Sequence, residues 1–377
     1  SLRGGMVSEE KVALEDISAK DVAVAVSFEK REEEPFLLDE TKKGEDAPAD
    51  ARNLVYWIIL LHGVGTLMPW NMFLTIAQSY YVDFKFMEPG ANNTMLPTVY
   101  SRNFLSLLGV FSQIPNLVLN FLNIFVTIKG DLTKRISISL LIVGFVVLFT
   151  MSFIYMETAS WMGGFFVLTL ASAVFLNGAN GIYQNSIFGL ASDFPFKYTN
   201  AVIIGNNLCG TFVSVLSIAT LFLSESVQNA AFSYFGISLL TIVCCFASFF
   251  VLKKLPYYRY FAEKKVSASV EDIPKDEEPV ESGFRQFILA FQEGYPQMMN
   301  VFLVFFVTLT IFPSMMVDIR PEADSAIAHF IGDKLYVSVT TFLLFNLFAF
   351  IGSMLANVVQ VPGPEKLWML TVPRVLL

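Results

Sequence analysis

Long runs of residues without a charged side chain constrain this sequence more than any other feature. No Asp, Glu, Lys or Arg occurs from Leu54 to Val82, or from Thr158 to Ser192. A helix needs about 20 apolar residues to cross the hydrocarbon core of a bilayer, and both runs exceed that length. Only 15% of the 377 residues are charged, whereas about 25% are charged in ordinary soluble domains. The sequence therefore predicts an all-α polytopic membrane protein embedded in a lipid bilayer.

Breaks at charged, proline, glycine and asparagine residues divide the apolar sequence into eight complete spans. They are predicted at residues 54–77, 104–127, 137–156, 164–191, 200–223, 230–252, 298–317 and 336–359. A further apolar run at 367–377 stops without a polar flank. We therefore expect about eight and a half spans, with the chain truncated at the start of the ninth.

The distribution of charge along the chain predicts four regions. Residues 1–50 hold 14 acidic and 7 basic residues, so they carry −7 of the total charge of −8. This composition predicts that residues 1–52 form a disordered acidic tail. A six-helix bundle at 53–252, a solvated loop at 253–297 and an incomplete second bundle at 298–377 follow. Because the rest of the chain is nearly neutral, a basic nucleic-acid-binding surface is excluded.

Basic residues in the loops predict which side of the membrane each loop occupies. The loop after span 2 contains Lys129, Lys134 and Arg135, whereas the loops after spans 3 and 5 contain no basic residue. The positive-inside rule then places the N-terminus in the cytosol. Asn92 begins an Asn-Asn-Thr glycosylation sequon in the loop after span 1, which fits an outer location. We expect the plasma membrane as the host membrane.

Two spans carry polar and small residues at helical spacing. In span 2 they recur every three or four residues, at Ser106, Gly109, Gln113, Asn116, Asn120 and Asn123. In span 4 they are Asn177, Asn180 and Gln184. Such faces favour the wall of a water-filled path for a polar, uncharged solute, and the alternative is hydrogen bonding between packed helices.

Span 1 combines a proline with an unusually deep indole. Pro69 removes a backbone donor in mid-span, and Trp70 lies too far inside the span for an interfacial residue. The indole could stack on a planar solute, but from the residues alone packing within the bundle is the first interpretation. His62, in the same span, is more typical of a hydrogen-bonded structural histidine than of a proton relay.

The eight spans contain no acidic or basic residue. Ion-coupled carriers commonly hold such a residue within the membrane, so the pattern favours passive movement of a neutral solute. The sequence contains no catalytic, metal-binding or phosphate-binding motif, so we expect neither an enzyme nor a bound cofactor.

Three ordered motifs resemble one known family. Residues 63–73 read GVGTLMPWNMF, which resembles the GxGTLxPWNxF signature of equilibrative nucleoside transporters. Residues 184–191 and 205–210 are similar to the span 4 and span 5 region of that family, and 345–348 continue the match. The resemblance implies a fold similar to the major facilitator fold, with six plus five spans, and facilitative transport of purine and pyrimidine nucleosides without ATP.

The resemblance also implies which residues surround the solute. Leu67 and Trp70 would lie beside the nucleobase, and Gln184 would bond its hydrogen-bonding edge. Gln113 and Asn116 belong to span 2, and the second half of the fold would contribute Phe312, Phe342 and Asn346. Gating or helix-packing roles are implied for Asn71, Gly205 and Gly210.

Span 8 departs from the family pattern at two positions. The family commonly has an Asp and an Arg that contact the ribose, where this sequence has Ala349 and Ser353. Their loss removes partners for the sugar hydroxyls, and the amides of span 2 are a candidate replacement. Two alternatives to nucleoside transport therefore stay open. One is a facilitator of nucleobases or organic cations, and the other is a membrane protein without transport activity. The sequence sets no oligomeric state.

Overall fold

Helices make up nearly all of the chain that the structure describes. The computed structural model describes residues 48–376 apart from 91–93, 126–131, 224–225, 272–282, 313–314, 317–318, 320–321, 323–330, 332, 357 and 360. Side chains at some helical positions, including 116 and 120–125, also lie outside the described set. Most of the predicted acidic tail, residues 1–47, falls outside it as well.

The first membrane helix, α1 (Leu54–Ile76), begins at an acidic cap. The Asp50 carboxylate accepts hydrogen bonds from the backbone N–H groups of Val55 (3.0 Å) and Tyr56 (3.2 Å). These are two of the donors that a helix start leaves without an internal partner, and the negative charge also complements the helix dipole. The helix runs through Pro69 and continues as a π-helical segment, Ala77–Lys85.

The loop after this segment is tied to the bundle by a hairpin and an aromatic cluster. Strand β1 (Met87–Pro89) pairs antiparallel with β2 (Met95–Pro97). Tyr81 is buried at the centre of the cluster, with ring centroids of five neighbours within 6.2 Å. These neighbours are Phe73, Tyr80, Phe86, Phe104 and Phe165.

Five more long helices form a bundle with α1. They are α2 (Val99–Phe125), α3 (Leu132–Ser152), α4 (Met162–Ala191), α5 (Phe196–Leu223) and α6 (Val227–Leu252). Helix α1 packs along both α5 and α6, α2 packs on α4, and α3 packs on α4 and α6. Large apolar side chains also cover the outer faces, where Phe145 and Phe175 are 68% and 66% exposed. Helices that are apolar on all sides are typical of membrane spans.

A shorter helix, α7 (Pro256–Glu271), lies within the segment 253–297 that the sequence predicts as a solvated loop. It docks through Tyr257, whose ring stacks on Phe194 at 5.9 Å and contacts Tyr198 at 5.4 Å. Burial raises the pKa of the Tyr257 phenol, so it stays protonated at neutral pH. Because charged residues surround these aromatic side chains, the composition of the segment predicts a solvated loop and not a docked helix.

The remaining helices begin with α8 (Gly283–Ile311), which starts before the predicted boundary at 298. A composite helix follows: α9 (Asp333–Tyr336), a π-helical segment (Val337–Leu343) and α10 (Leu344–Leu355), and it packs on α5. The run predicted as an incomplete ninth span contains the short helix α11 (Trp368–Thr371) and a 3-10 turn, Pro373–Leu376.

The prediction of an all-α polytopic membrane protein is confirmed. Within the described residues, seven helices are long and apolar enough to cross a bilayer. They carry seven of the eight predicted spans. The other, 104–127, falls on α2, part of whose side chains lies outside the described residues.

Candidate functional site

Two glycines bring the backbones of α1 and α5 into contact. A Cβ atom placed on Gly205 would lie 2.9 Å from the Gly63 Cα atom and would also overlap the Leu60 carbonyl oxygen. A Cβ atom on Gly63 would lie 3.1 Å from the Gly205 Cα atom. Small residues allow membrane helices to pack this closely, so no larger side chain fits at Gly205 without moving a backbone.

Polar side chains continue the seam between α1 and α5. The Thr66 hydroxyl lies 2.8 Å from Asn206 Oδ1 and 2.7 Å from the Gly63 carbonyl oxygen, and it can donate to either. Further along, Asn71 donates its side-chain amide to the Cys209 sulfur at 3.6 Å. Sulfur is a weak acceptor, so this second contact is easily exchanged.

The contact between α5 and α10 centres on Asn346. Its side-chain amide donates to Ser214 Oγ at 3.0 Å and to its own helix at the Phe342 carbonyl oxygen at 2.9 Å. The same side chain covers Gly210, where a Cβ atom would lie 2.9 Å from Asn346 Cγ. Asn346 and Gly210, predicted as a solute ligand and a gating or helix-packing residue, therefore meet each other in this structure.

Three aromatic rings cluster beside this contact. Phe312, just after α8, stacks on Phe345 with ring centroids 3.8 Å apart and an angle of 9° between the planes. The edge of Phe342 approaches Phe312 at 5.8 Å. The ring of Phe342 is 36% exposed, so one side of this cluster is open to a planar group.

Leu67 and Trp70 are both half-buried on α1. The Trp70 ring lies nearly parallel to that of Phe73, at a centroid distance of 6.1 Å and an angle of 10°. One face of the indole is therefore occupied by packing within the helix. Its partial exposure leaves surface for a second planar partner.

The polar face predicted on span 4 divides into two parts on α4. Asn177 and Asn180 are buried. Asn177 donates to the Ala173 carbonyl oxygen in its own helix, and Asn180 donates to the Thr66 carbonyl oxygen on α1. Gln184, one turn further, is half-buried and has no hydrogen-bond partner within the described chain. Within the described chain, Gln184 keeps its whole amide free for a ligand, and Asn180 keeps a buried Oδ1 without a partner.

The described part of the membrane bundle holds very little charge. Among the described Asp, Glu, Lys and Arg residues, Lys85 alone is buried, and it donates to the Met156 carbonyl oxygen at 2.6 Å near the end of α3. The polar groups of the site are amides and hydroxyls. They match an uncharged solute with both donors and acceptors.

Comparison with known proteins identifies the family. The family model described as nucleoside transporter matches residues 170–377. The chain is 31% identical over 363 residues to equilibrative nucleoside transporter 3 of Rattus norvegicus, covering 90% of this chain and 74% of that protein. The chain belongs to the equilibrative nucleoside transporter family. Human members include equilibrative nucleoside transporters 1 and 2, each 26% identical over 85% of this chain and 78% of their own length.

In this member of the equilibrative nucleoside transporter family, no hydrogen bond or ring contact of the described chain brings the other predicted site residues together. The Gln113 side chain on α2 is exposed, and Trp70 and Gln184 make no hydrogen bond or ring contact with one another within the described chain. The side chain of Asn116 and the whole of Asn92 lie outside the described residues. The structure thus brings together α1, α5 and α10, and leaves the roles of α2 and α4 as predictions.

Sequence reasoning predicts a hydrogen-bonded structural histidine at His62 but misses its partners, which join three helices of the family member. His62 on α1 is fully buried, with Nδ1 2.7 Å from the Tyr183 hydroxyl on α4 and Nε2 3.4 Å from Ser248 Oγ on α6. Cys245 donates its thiol to the Leu61 carbonyl oxygen at 3.5 Å. The partners are 121 and 186 residues from His62 along the chain. No local sequence signal connects them.

Proposed function

We propose that this protein moves nucleosides across a membrane by facilitated transport, down the solute gradient and without ATP. The observation that carries this function is family membership, given by the match over residues 170–377 and by relatives named equilibrative nucleoside transporters. Transporters of this kind carry out no covalent chemistry, so we propose no enzymatic activity.

The site residues support a neutral solute with a planar ring. The free amide of Gln184 offers one donor and one acceptor group, which matches the hydrogen-bonding edge of a nucleobase. The partly exposed rings of Trp70 and Phe342 supply surfaces for stacking. Leu67, Gln113, Asn116 and Phe312 complete the proposed binding site. We propose that both purine and pyrimidine nucleosides are substrates, because an amide and aromatic faces suit either ring.

The contacts between α5 and α10 suit a transporter that alternates between two conformations. Asn346 bonds Ser214 at 3.0 Å, and Asn200 donates to the Ser353 carbonyl oxygen at 3.3 Å. Exchanging a neutral hydrogen bond for water changes the free energy by only about 1 kcal/mol. We propose that this interface opens and closes while the close contact between Gly63 and Gly205 holds α1 and α5 together.

The placement in the membrane follows from the distribution of basic residues. We propose a cytosolic N-terminal tail at 1–52, a first bundle at 53–252, a cytosolic loop at 253–297 and a second bundle beginning at 298. On this arrangement Asn92 faces the outside and accepts a glycan. The plasma membrane is the proposed location.

The test is uptake of labelled uridine and adenosine by the chain in proteoliposomes without an ion gradient. We expect saturable uptake of both nucleosides that stops when the inner and outer concentrations are equal. Empty liposomes and liposomes with an unrelated membrane protein provide the background. Free adenine and uracil are added as competitors.

Two results would contradict the proposal. Uptake of free nucleobases with none of nucleosides would assign a different cargo to the same fold. Uptake that never saturates would indicate a channel in place of a carrier.

A further inference from the structure

A cleft of about 390 Å³ lies where α1 and α5 end and α6 begins. Six of its described lining residues carry a hydroxyl group, and none carries a charge. We call it the hydroxyl cleft and define it by these six residues: Thr75, Ser79, Ser217, Thr220, Ser226 and Tyr234. Its volume falls in the range of about 300–1,000 Å³ that is usual for sites of small molecules.

The hydrogen bonds within the hydroxyl cleft leave groups free for a ligand. Thr220 donates to the Ser217 carbonyl oxygen at 2.8 Å, so the Tyr234 hydroxyl, 2.9 Å away, must be the donor to Thr220 Oγ1. Tyr234 is only 2% exposed and is fixed by this bond. The Ser217 hydroxyl has no hydrogen-bond partner within the described chain, so it can both donate and accept.

The chemistry of this lining selects a class of solute. Closely spaced hydroxyls match a neutral group that carries several hydroxyls of its own. Ser217 can donate and accept, whereas Thr75 and Ser79 already donate to carbonyl oxygens of their own segment and can accept from a ligand hydroxyl. An ionised group finds no counter-charge among the described lining residues. The one amide in the lining, Gln78, already donates to Asp83 at 2.8 Å, so it is a poor partner for a nucleobase edge. The solute class that best matches these uncharged hydroxyl groups is a sugar.

The hydroxyl cleft lies on the same helix as the candidate site. Thr75 donates to the Asn71 carbonyl oxygen at 2.7 Å, and Asn71 follows Trp70 directly. Thr75 is therefore about 7.5 Å further along α1 than Trp70, at 1.5 Å per residue. With the N-terminus in the cytosol, this end of α1 faces outward.

We propose that the hydroxyl cleft binds the ribose of a nucleoside at the outer end of the bundle, before the base reaches Trp70. This inference rests on the proposed transport of nucleosides. It assigns recognition of the sugar to uncharged hydroxyl groups of α1, α5 and α6.

The experiment compares uridine with 2′,3′-dideoxyuridine, which keeps the base and lacks two ribose hydroxyls. Influx of each is measured over a range of concentrations for the full chain and for the double variant Ser217→Ala, Thr220→Val. Thr241→Val is the matched control, because it removes a hydroxyl from α6 that bonds only the Ile237 carbonyl oxygen. Tyr234→Phe is a second variant of the hydroxyl cleft that keeps the ring.

We expect the double variant to raise the half-saturating concentration for uridine about fivefold or more, which corresponds to one or two lost hydrogen bonds. The value for dideoxyuridine should stay unchanged, and Tyr234→Phe should shift the uridine value in the same direction. Thr220→Ser should restore part of the uridine affinity, because it returns the hydroxyl. Equal shifts for both nucleosides, or no shift for either, would overturn the proposal.

A second measurement separates this inference from the proposed function. Uridine should raise the unfolding temperature of the detergent-purified chain more than it raises that of the double variant. If the chain transported no nucleoside but showed this difference, the proposed function would fail and the hydroxyl cleft would stand. If the chain transported uridine and the two unfolding shifts were equal, only the hydroxyl cleft would fail.

Discussion

The side chain of Asn346 covers Gly210 so closely that a Cβ atom at position 210 would lie 2.9 Å from Asn346 Cγ. The two residues belong to different helices, α10 and α5, and the Asn346 amide is held there by Ser214 at 3.0 Å. A glycine and an amide thus form a contact that depends on the absence of one methyl group.

The first prediction concerns this contact. Gly210→Ala should displace Asn346 and break its bond to Ser214, which lowers the initial rate of nucleoside uptake about tenfold, the effect of about 1.4 kcal/mol. Gly236→Ala on α6 is the control, because a Cβ atom there meets nothing within 4 Å. Both rates are normalised to protein in the membrane, and a normal rate for Gly210→Ala would refute the role of this contact.

The second prediction concerns stability at the crossing of α1 and α5. Gly205→Ala should destabilise the fold by about 2 kcal/mol or more, because the new methyl group meets backbone atoms that cannot rotate away. In an open helix position the same change stabilises by up to about 1 kcal/mol through helix propensity. Thermal unfolding in detergent should therefore show opposite shifts for Gly205→Ala and Gly236→Ala. Shifts of the same sign would contradict the close contact.

The third prediction tests the free amide of Gln184. Gln184→Ala should raise the half-saturating concentration for nucleosides about tenfold, because a base then loses a hydrogen-bond partner. Asn103→Ala is the control, since it removes an exposed amide that bonds only the Val99 carbonyl oxygen at 2.9 Å. Surface labelling checks that both variants reach the membrane. Unchanged uptake by Gln184→Ala would remove this residue from the site.

The fourth prediction tests whether the cluster around His62 stabilises the fold without taking part in transport. Tyr183→Phe removes the hydroxyl 2.7 Å from His62 Nδ1 and leaves a buried ring nitrogen without that partner. The free energy of unfolding should fall by about 1–3 kcal/mol, while uptake per folded molecule stays the same. Tyr155→Phe, at an exposed hydroxyl bonded to Asn229 at 3.0 Å, should change stability far less. Equal stability of the two variants would exclude a stabilising role for the His62 cluster.

The fifth prediction concerns the start of α1. Asp50→Ala removes the carboxylate that accepts from Val55, Tyr56 and the Tyr198 hydroxyl at 3.0 Å. The loss of a cap and of its charge should destabilise the fold by about 1–2 kcal/mol. Asp83→Ala, which removes an exposed partner of Gln78, is the control for loss of a carboxylate. Unfolding temperatures of the two variants that agree within error would contradict a role for the cap.

The fold class and most of the helices follow from the sequence because uninterrupted apolar runs have few stable alternatives in a membrane. The motif at 63–73 also points to α1 as a central element, and Gly63 meets Gly205 there. Apolar runs do not predict the docked helix α7, because its buried residues Tyr257 and Phe261 lie among charged neighbours in the sequence. The face of a helix that meets another helix, and not its composition, decides such docking.

The site was harder to predict than the helices. Asn177, Asn180 and Gln184 share one helical face, yet the first two donate to protein carbonyl oxygens, whereas the Gln184 amide donates to none within the described chain. Spacing predicts that amides share a face, but the neighbouring helix determines which of them find a partner. The contact of Asn346 with Gly210 joins residues 136 positions apart, which no local pattern encodes.

The backbone contact between Gly63 and Gly205 has a consequence for how the bundle is packed. With no side chain between them, the two backbones come within reach of a single methyl group, so this crossing tolerates glycine and nothing larger at position 205. Gly210, further along the same helix, meets Asn346 of α10 in the same way. Helix α5 therefore owes its contacts with both of these neighbouring helices to positions that carry no side chain.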